Sequence, residues 1–402
     1  MRKTLLLILA LSFATISFTA TYTSATDGEW STYTTWSPMG IPQPGDEVII
    51  NHNVIMDDTY TSGGYWAVNG GSITIGANSS LVQGTNVIGI SIQNDGSITN
   101  NGTINFNQIG IYQGSFTNNG VANFYSLIYN LDNIENYGIV QEVDSFYNSG
   151  IVNNYNGSSI STDSTLNEGT IVNEGDFTST YLYNTNEITN NLGMSFFDFT
   201  NVGTITNNAT ITVSNDGTNI GTFINSDGAN INLTRNFSNA DTINHNALFI
   251  NNGLFNIGDN WTNIDTTKGS STGKFVIENG TYNSGFMKGD FLFCDNTPIV
   301  TVNPIIDYNT GTIDPNITYC LTNNIENTLV DVDFIIYPNP TQNNLNISNV
   351  QINKIINIID VTGKLVKQIN ATKNNFLINI SDLENGIYYI KYNNDTKIFI
   401  KQ

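Results

Sequence analysis

Positive charge is nearly missing from this chain. Of 402 residues only 13 are Lys or Arg against 34 Asp or Glu, a formal net charge of −21, and no cation occurs between Lys3 and Arg235. A surface this anionic repels phosphate backbones and acidic lipid headgroups, which excludes nucleic acid and anionic membranes as partners. Histidine is almost as scarce: His52 and His245 stand far apart, and with only two cysteines the chain offers no metal-ligand spacing. No metal and no cofactor is expected. Past the first residues no apolar run approaches the roughly 18 residues of a membrane-crossing helix.

What remains is a leader, a long repeat and a distinct end. Arg2 and Lys3 precede an apolar run from Leu5 to Ile16 and then small residues, the layout of a secretory signal peptide over residues 1–25. Cleavage after Ala20 or Ala25 fits, though neither site has a clean small-x-small pattern. In an exported chain a lone cysteine pair, Cys294 and Cys320, is most simply a disulfide, with two free thiols as the other reading.

The middle repeats itself. Asparagine recurs at Asn100, Asn118, Asn136, Asn148, Asn167, Asn184, Asn201, Asn219, Asn239 and Asn251, mostly about 18 residues apart with two shorter steps. Two positions after most of them stands glycine (Gly102, Gly120, Gly138, Gly150, Gly169, Gly203, Gly221, Gly253), with Asn186 and Asp241 in the other two places. Apolar residues flank the pair, as in Ile98 and Ile104 or Phe249 and Phe255, and after Asp241 the flanking place is taken by Ile243. Apolar positions at spacing two belong to strands, and a repeat this short suits one rung of a β-solenoid. Stacked copies of one asparagine would form a hydrogen-bonded ladder, and glycine would supply a left-handed corner. Roughly nine coils at the ~4.8 Å strand spacing are expected. The short steps are either shortened rungs or a second corner using the same motif. The pattern resembles the right-handed parallel β-helix of pectin-lyase-like proteins; a triangular or flattened solenoid is the alternative.

The organisation that follows is residues 26–66 as an N-terminal cap, 67–285 as β-helix repeats, 286–330 as a C-terminal cap and linker holding the cysteine pair, and 331–402 as a separate domain. The cap carries Trp30, Trp36 and the loop Pro42-Gln43-Pro44-Gly45-Asp46, and resembles the opening segment of exported bacterial β-helix proteins. Charge reverses at the last boundary: residues 337–402 hold seven lysines against Asp360, Asp382, Glu384 and Asp395.

Seven short apolar stretches separated by turn signals make this last block a small β-sandwich. It opens with Tyr337-Pro338-Asn339-Pro340, whose prolines are expected to lead into the first strand in extended form. Asp360, Gly363 and Lys364 follow, then Asp382, Leu383, Gly386 and Tyr388, and the end carries Lys397 and Lys401. These motifs, in this order and place, resemble the C-terminal sorting domain (type A) of the type IX secretion system of Gram-negative bacteria. The resemblance implies the secretion machinery as a partner and a secreted or outer-membrane-surface location. An accessory immunoglobulin-like domain without a sorting role is the alternative.

No catalytic constellation is legible. Residues 4–234 lack any Lys or Arg to serve a lyase, and the adjacent acidic pair Asp57-Asp58 in the cap reads as a solvated turn. His52 reads as an outward strand residue, and His245 as lying within a repeat with no basic or acidic partner at motif spacing. The leading expectation is a structural, adhesive or glycan-binding protein, not an enzyme. Tyr112, Tyr125, Tyr129, Tyr147, Tyr155, Tyr181 and Tyr183 are candidate sugar contacts for host or cell-surface polysaccharide. The alternative is a polysaccharide lyase or glycoside hydrolase, and a groove lined by three or more convergent acids or bases would favour it.

Overall fold

The computed structural model describes residues 19–57, 64–300, 302–320, 334–350, 354–392 and 395–402. Most of the expected leader, Asp58 and the expected linker beyond Cys320 lie outside them. The chain divides into two units, Met1–Thr322 and Asn323–Gln402, each described by itself.

The first unit is a parallel β-solenoid. Each coil gives one short strand to a 16-stranded sheet, as Gly96–Asn100, Gly114–Asn118 and Asn133–Asn136 do in succession. The rest of the coil is a longer strand, such as Val121–Asn130, which bends midway; a register shift between Phe106 and Gln108 marks the bend. Before Thr103 and again from Thr210 the bend divides it into two, as in Ser80–Gln83 and Gly89–Gln93 or Thr210–Val213 and Gly217–Asn219. A coil is therefore three flat runs enclosing one core.

Alternation decides what enters that core. Ile98, Phe116, Ile134, Val152, Ile171, Ile188, Ile205, Phe223 and Phe249 point inward from successive coils and are buried. In the later coils the filling turns aromatic, with Phe249 edge-on to Phe255 at 4.8 Å and Trp261 edge-on to Phe293 at 5.0 Å. Ile243 breaks the pattern: it is 84% exposed, on a loop between Phe237–Asn239 and Leu248–Asn251 that the repeat does not anticipate.

The corner glycines work differently from expectation. None of the eight has positive φ. They are needed for close approach: a Cβ on Gly120 would stand 2.1 Å from the carbonyl oxygen of Gly102, and one on Gly138 2.1 Å from that of Gly120. Successive corners stack backbone on backbone, leaving no room for a side chain.

Parallel pairing begins earlier and ends later than residues 67–285. Thr21–Ser24 pairs with Glu47–Ile50, and Leu292–Asp295 pairs with Thr318–Tyr319. Much of both expected caps is thus coil. The N-terminal edge is closed by Trp36–Ser37, which runs antiparallel to Thr21–Ser24, over a buried cluster of Trp30, Trp36 and Trp66 with centroids 4.6–4.8 Å apart. Closing an edge in this way removes a template for pairing with other chains.

The second unit holds a three-stranded sheet (Ile335–Tyr337, Asn344–Ser348, Phe376–Asn379) and a four-stranded one (Ile355–Asp360, Leu365–Asn370, Gly386–Tyr392, Asp395–Lys401), all antiparallel. Phe334, Leu345, Ile347, Ile356, Ile358, Ile390 and Phe399 fill its separate core. Pro338 and Pro340 follow the first strand and do not lead into it.

Candidate functional site

The ten asparagines belong to two ladders, not one. Asn100, Asn118 and Asn136 continue through Asn154, Asn173, Asn190, Asn207 and Asn225 to Asn251, each Nδ2 donating to the next Oδ1 at 2.7–2.9 Å. Asn148, Asn167, Asn184, Asn201, Asn219 and Asn239 lie on a second ladder, which starts at Asn130 and continues through Asn263 and Asn283 to Asn309 at the same distances. The short steps from Asn136 to Asn148 and from Asn239 to Asn251 are crossings from one corner to the other. Asn190 and Asn207 lie outside the pattern because Leu192 and Ala209 stand where it takes Gly, Asn or Asp; Asn154, Asn173 and Asn225, followed by Asn156, Gly175 and Asp227, fit it and were overlooked. Except for Asn309 at the end, the ladder side chains are at most 1% exposed. From Asn100 to Asn263 each ladder Nδ2 also reaches a backbone oxygen of the next coil, as from Asn118 to Ile139 at 3.0 Å, so the ladders satisfy polar corner groups that burial would otherwise strand.

The seven candidate tyrosines separate into three places. Tyr129, Tyr147, Leu166 and Tyr183 occupy one register row on an outward face, with Tyr181 two residues before Tyr183. The row runs on through Thr200, Thr218, Ser238 and Thr262 to Tyr282 and Tyr308. Tyr129 and Tyr147 stack at 4.8 Å and 10°, and Tyr112 meets Tyr129 at 5.7 Å, tilted by 45°. Tyr155 lies at the corner of the first ladder, stacked on Tyr137 at 4.2 Å; its hydroxyl donates to Glu135 at 2.6 Å, and that bond to a carboxylate pushes its pKa up. Tyr125 stands at the mid-coil bend.

That bend holds what sequence spacing did not reveal. Glu142, Asp144 and Asp163, from adjacent coils, line one pocket of about 400 Å³ with Tyr125, Gln141, Val143, Ser161 and Thr162. All three acids are exposed. Among the described residues no three His, Cys, Asp or Glu side chains are arranged to hold a metal ion.

The histidines also differ from expectation. His52 sits in the turn between two strands and meets Ser24 Oγ through Nδ1 at 2.9 Å. Ser24 is 3% exposed and its Oγ accepts Asn51 N–H, so the pair ties a corner together. His245 does have a charged partner, Asp265, at 3.4 Å. Asp57 accepts both N–H and Oγ–H of Ser31, fastening the N-terminal cap where a solvated turn was expected. Cys294 and Cys320 are bonded, with Cα atoms 4.8 Å apart; they follow the paired residues Phe293 and Tyr319, so the bridge joins neighbouring coils.

In the second unit the C-terminal motifs converge. Asn339, between its two prolines, donates from Nδ2 to Ile398 O at 2.8 Å and accepts Ile400 N–H at 2.9 Å. One side chain thereby takes the place of a strand along the edge of Asp395–Lys401, and Thr341 continues the pairing through Ile400 O and Gln402 N. Asp360 accepts from Thr362 Oγ1 and from the N–H groups of Thr362 and Lys364, around Gly363 at φ +87°; these bonds, the Thr362 hydroxyl foremost, hold its carboxyl below the ordinary range. Asp382 is lowered by its bond with Lys367 at 2.7 Å, and Leu383 packs at the edge of the core. Tyr388 donates to Glu384 O at 2.8 Å and stacks on Phe399 at 5.5 Å. Lys397 lies over the Phe334 ring, its Nζ 5.6 Å from the centroid, Lys401 is 8% exposed, and Gly386 pairs with it across the last two strands.

Residues 335–402 match the secretion system C-terminal sorting domain family. The sorting domain carries the type IX address, which implies that secretion machinery as a partner and a secreted or cell-surface location. No curated protein and no solved structure matches the chain. Among the described residues no helix is long and apolar enough to cross a membrane.

Proposed function

We propose that this protein is exported through its signal peptide and sorting domain and presents a rigid solenoid at or beyond the cell surface, where it binds polysaccharide. The observation that carries this reading is the outward row of Tyr129, Tyr147, Leu166, Tyr183, Thr200, Thr218, Ser238, Thr262, Tyr282 and Tyr308. Leu166 apart, it is an uncharged ridge of hydroxyls and rings, one per coil, on a chain that is otherwise strongly anionic. Aromatic rings present apolar faces to C–H surfaces while their hydroxyls both donate and accept. A glycan array probed with the exported protein tests this: binding to one or more polysaccharide classes is expected, and an array without signal would refute it.

A second reading is favoured by the bend. Glu142, Asp144 and Asp163 line one pocket, and paired carboxylates are the working groups of glycoside hydrolysis. If that pocket is catalytic, the protein releases reducing ends from pectin, alginate or mucin glycans and Glu142→Gln abolishes the release. No turnover of any of the three would sink the enzyme reading and leave binding in place.

A further inference from the structure

We propose that the cleft between Tyr65 and Tyr112 is a binding subsite for one uncharged pyranose ring; this rests on the polysaccharide-binding reading and gives it a location and a ligand class. The cleft arises where coil length changes. Tyr65–Asn69 pairs with Gly89–Gln93 at an offset of 24 residues, while Gly89–Gln93 pairs with the second half of Thr103–Ile111 at an offset of 19. The mismatch leaves a step on the outward face just before the tyrosine row begins, a pocket of about 480 Å³. That volume falls within the roughly 300–1,000 Å³ range of small-molecule sites.

Two glycines shape its walls. A Cβ on Gly89 would lie 2.9 Å from the Tyr65 ring, and one on Gly110 would lie 2.8 Å from the Tyr112 ring. Each ring lies against bare backbone because its neighbour has no side chain. Tyr65 is oriented further by a hydrogen bond from its hydroxyl to Gln108 Oε1. Tyr112 lines the pocket and meets Tyr129 with its ring tilted by 45°.

The remaining lining is Ser91, Gln93, Asn94 and Gln113. Ser91 accepts Gln93 Nε2–H at 3.2 Å, and Asn94 donates to Asn69 Oδ1. The primary amides of Gln93, Asn94 and Gln113 offer donors and acceptors side by side, matching vicinal sugar hydroxyls that do both. None of the six lining residues is charged. The nearby carboxylate of Asp95 accepts from Gln113 Nε2 at 3.3 Å and disfavours an acidic sugar. Two rings and amides without a cation therefore select a neutral pyranose over a uronate or a phosphorylated ligand.

The test is calorimetric titration of the exported protein with cellohexaose, mannohexaose, xylohexaose and hexagalacturonate. Tyr112→Ala and Gln113→Ala are compared with a control, Tyr33→Ala, on the cap. The wild type is expected to bind at least one neutral hexasaccharide more tightly than hexagalacturonate, and Tyr112→Ala to weaken that binding about tenfold. Gln113→Ala weakens it less and Tyr33→Ala leaves it unchanged. Wild-type binding that survives both pocket substitutions overturns this site while the polysaccharide reading stands. Preference for hexagalacturonate overturns the neutral-ligand assignment, and binding to none of the four, with an empty glycan array, overturns both. Unchanged thermal melts of the variants show that lost binding is local.

Discussion

The solenoid and the sorting domain use asparagine in opposite ways. In the solenoid the same side chain performs the same task coil after coil, each amide held by the copies before and after it. In the sorting domain Asn339 acts once, and its partners Ile398 and Ile400 lie about 60 residues away. Repetition makes stability a sum of similar neighbour terms, so the solenoid can hold a −23 charge imbalance over residues 26–320, 27 acids against four cations, and leave its outward faces free to vary. The sorting domain has one copy of each contact, those of Asn339 and Thr341 on its last strand and those of Asp360 and Asp382 away from it. A serial structure suits a surface that presents something, and a set of single contacts suits a tag read as a unit.

The largest expected effect is on location. Deleting residues 335–402 should leave the protein in the periplasm, as judged by fractionation and immunoblot; normal surface delivery would show that the address lies elsewhere. Next comes the interior of a ladder. Asn184→Ala leaves Asn201 Oδ1 without its donor in a dry interior, while Asn167 Nδ2 keeps its backbone acceptors Gly169 O and Glu187 O; it should cost roughly 1–3 kcal/mol, against at most about 0.5 kcal/mol for the exposed Asn208→Ala. Equal denaturation midpoints for the two would contradict the ladder's role.

Replacing both cysteines with serine should destabilise the last coils by roughly 3 kcal/mol on chain-entropy grounds, seen as early loss of protection in hydrogen exchange near 292–320. Within the sorting domain, Asn339→Ala should cost about 1–2 kcal/mol and speed exchange of the amide of Ile400. No change there would mean that the prolines alone hold the edge. The smallest effect is on pH. Asp360 and Asp382 have lowered folded pKa values, so the folded domain binds fewer protons than the unfolded chain. Their contribution is present at neutral pH and is lost as pH falls through the ordinary carboxylate range toward the lowered values. Asp382→Asn should flatten that acid limb, and a melting series on the isolated pair of variants, Asp382→Asn and Asp360→Asn, measures it.

Much of this was legible because periodicity is local. Ile98, Phe116 and Ile134 recur with Asn100, Asn118 and Asn136 at a fixed step, and that is enough to read a coil. The same is true of the seven strands of the last block and the order of its motifs. Glycine was read correctly as required at the corner but for the wrong reason: a positive φ is a property of one residue, whereas the clash at Gly120 depends on Gly102 lying beneath it. The second ladder was half hidden because its members and those of the first share one motif, and only hydrogen-bond partners separate Asn148 from Asn136.

The sequence by itself determined that the chain is a repeating strand protein without cationic chemistry and that its end carries an export address, because composition, period and motif order can be read without knowing which coil lies on which. Only the tertiary structure decided which asparagines stack, that Glu142, Asp144 and Asp163 share a pocket, and that Tyr65 and Tyr112 face one cleft. Those outcomes depend on coil length, and a change of a few residues in one coil shifts the side chains that meet in the next.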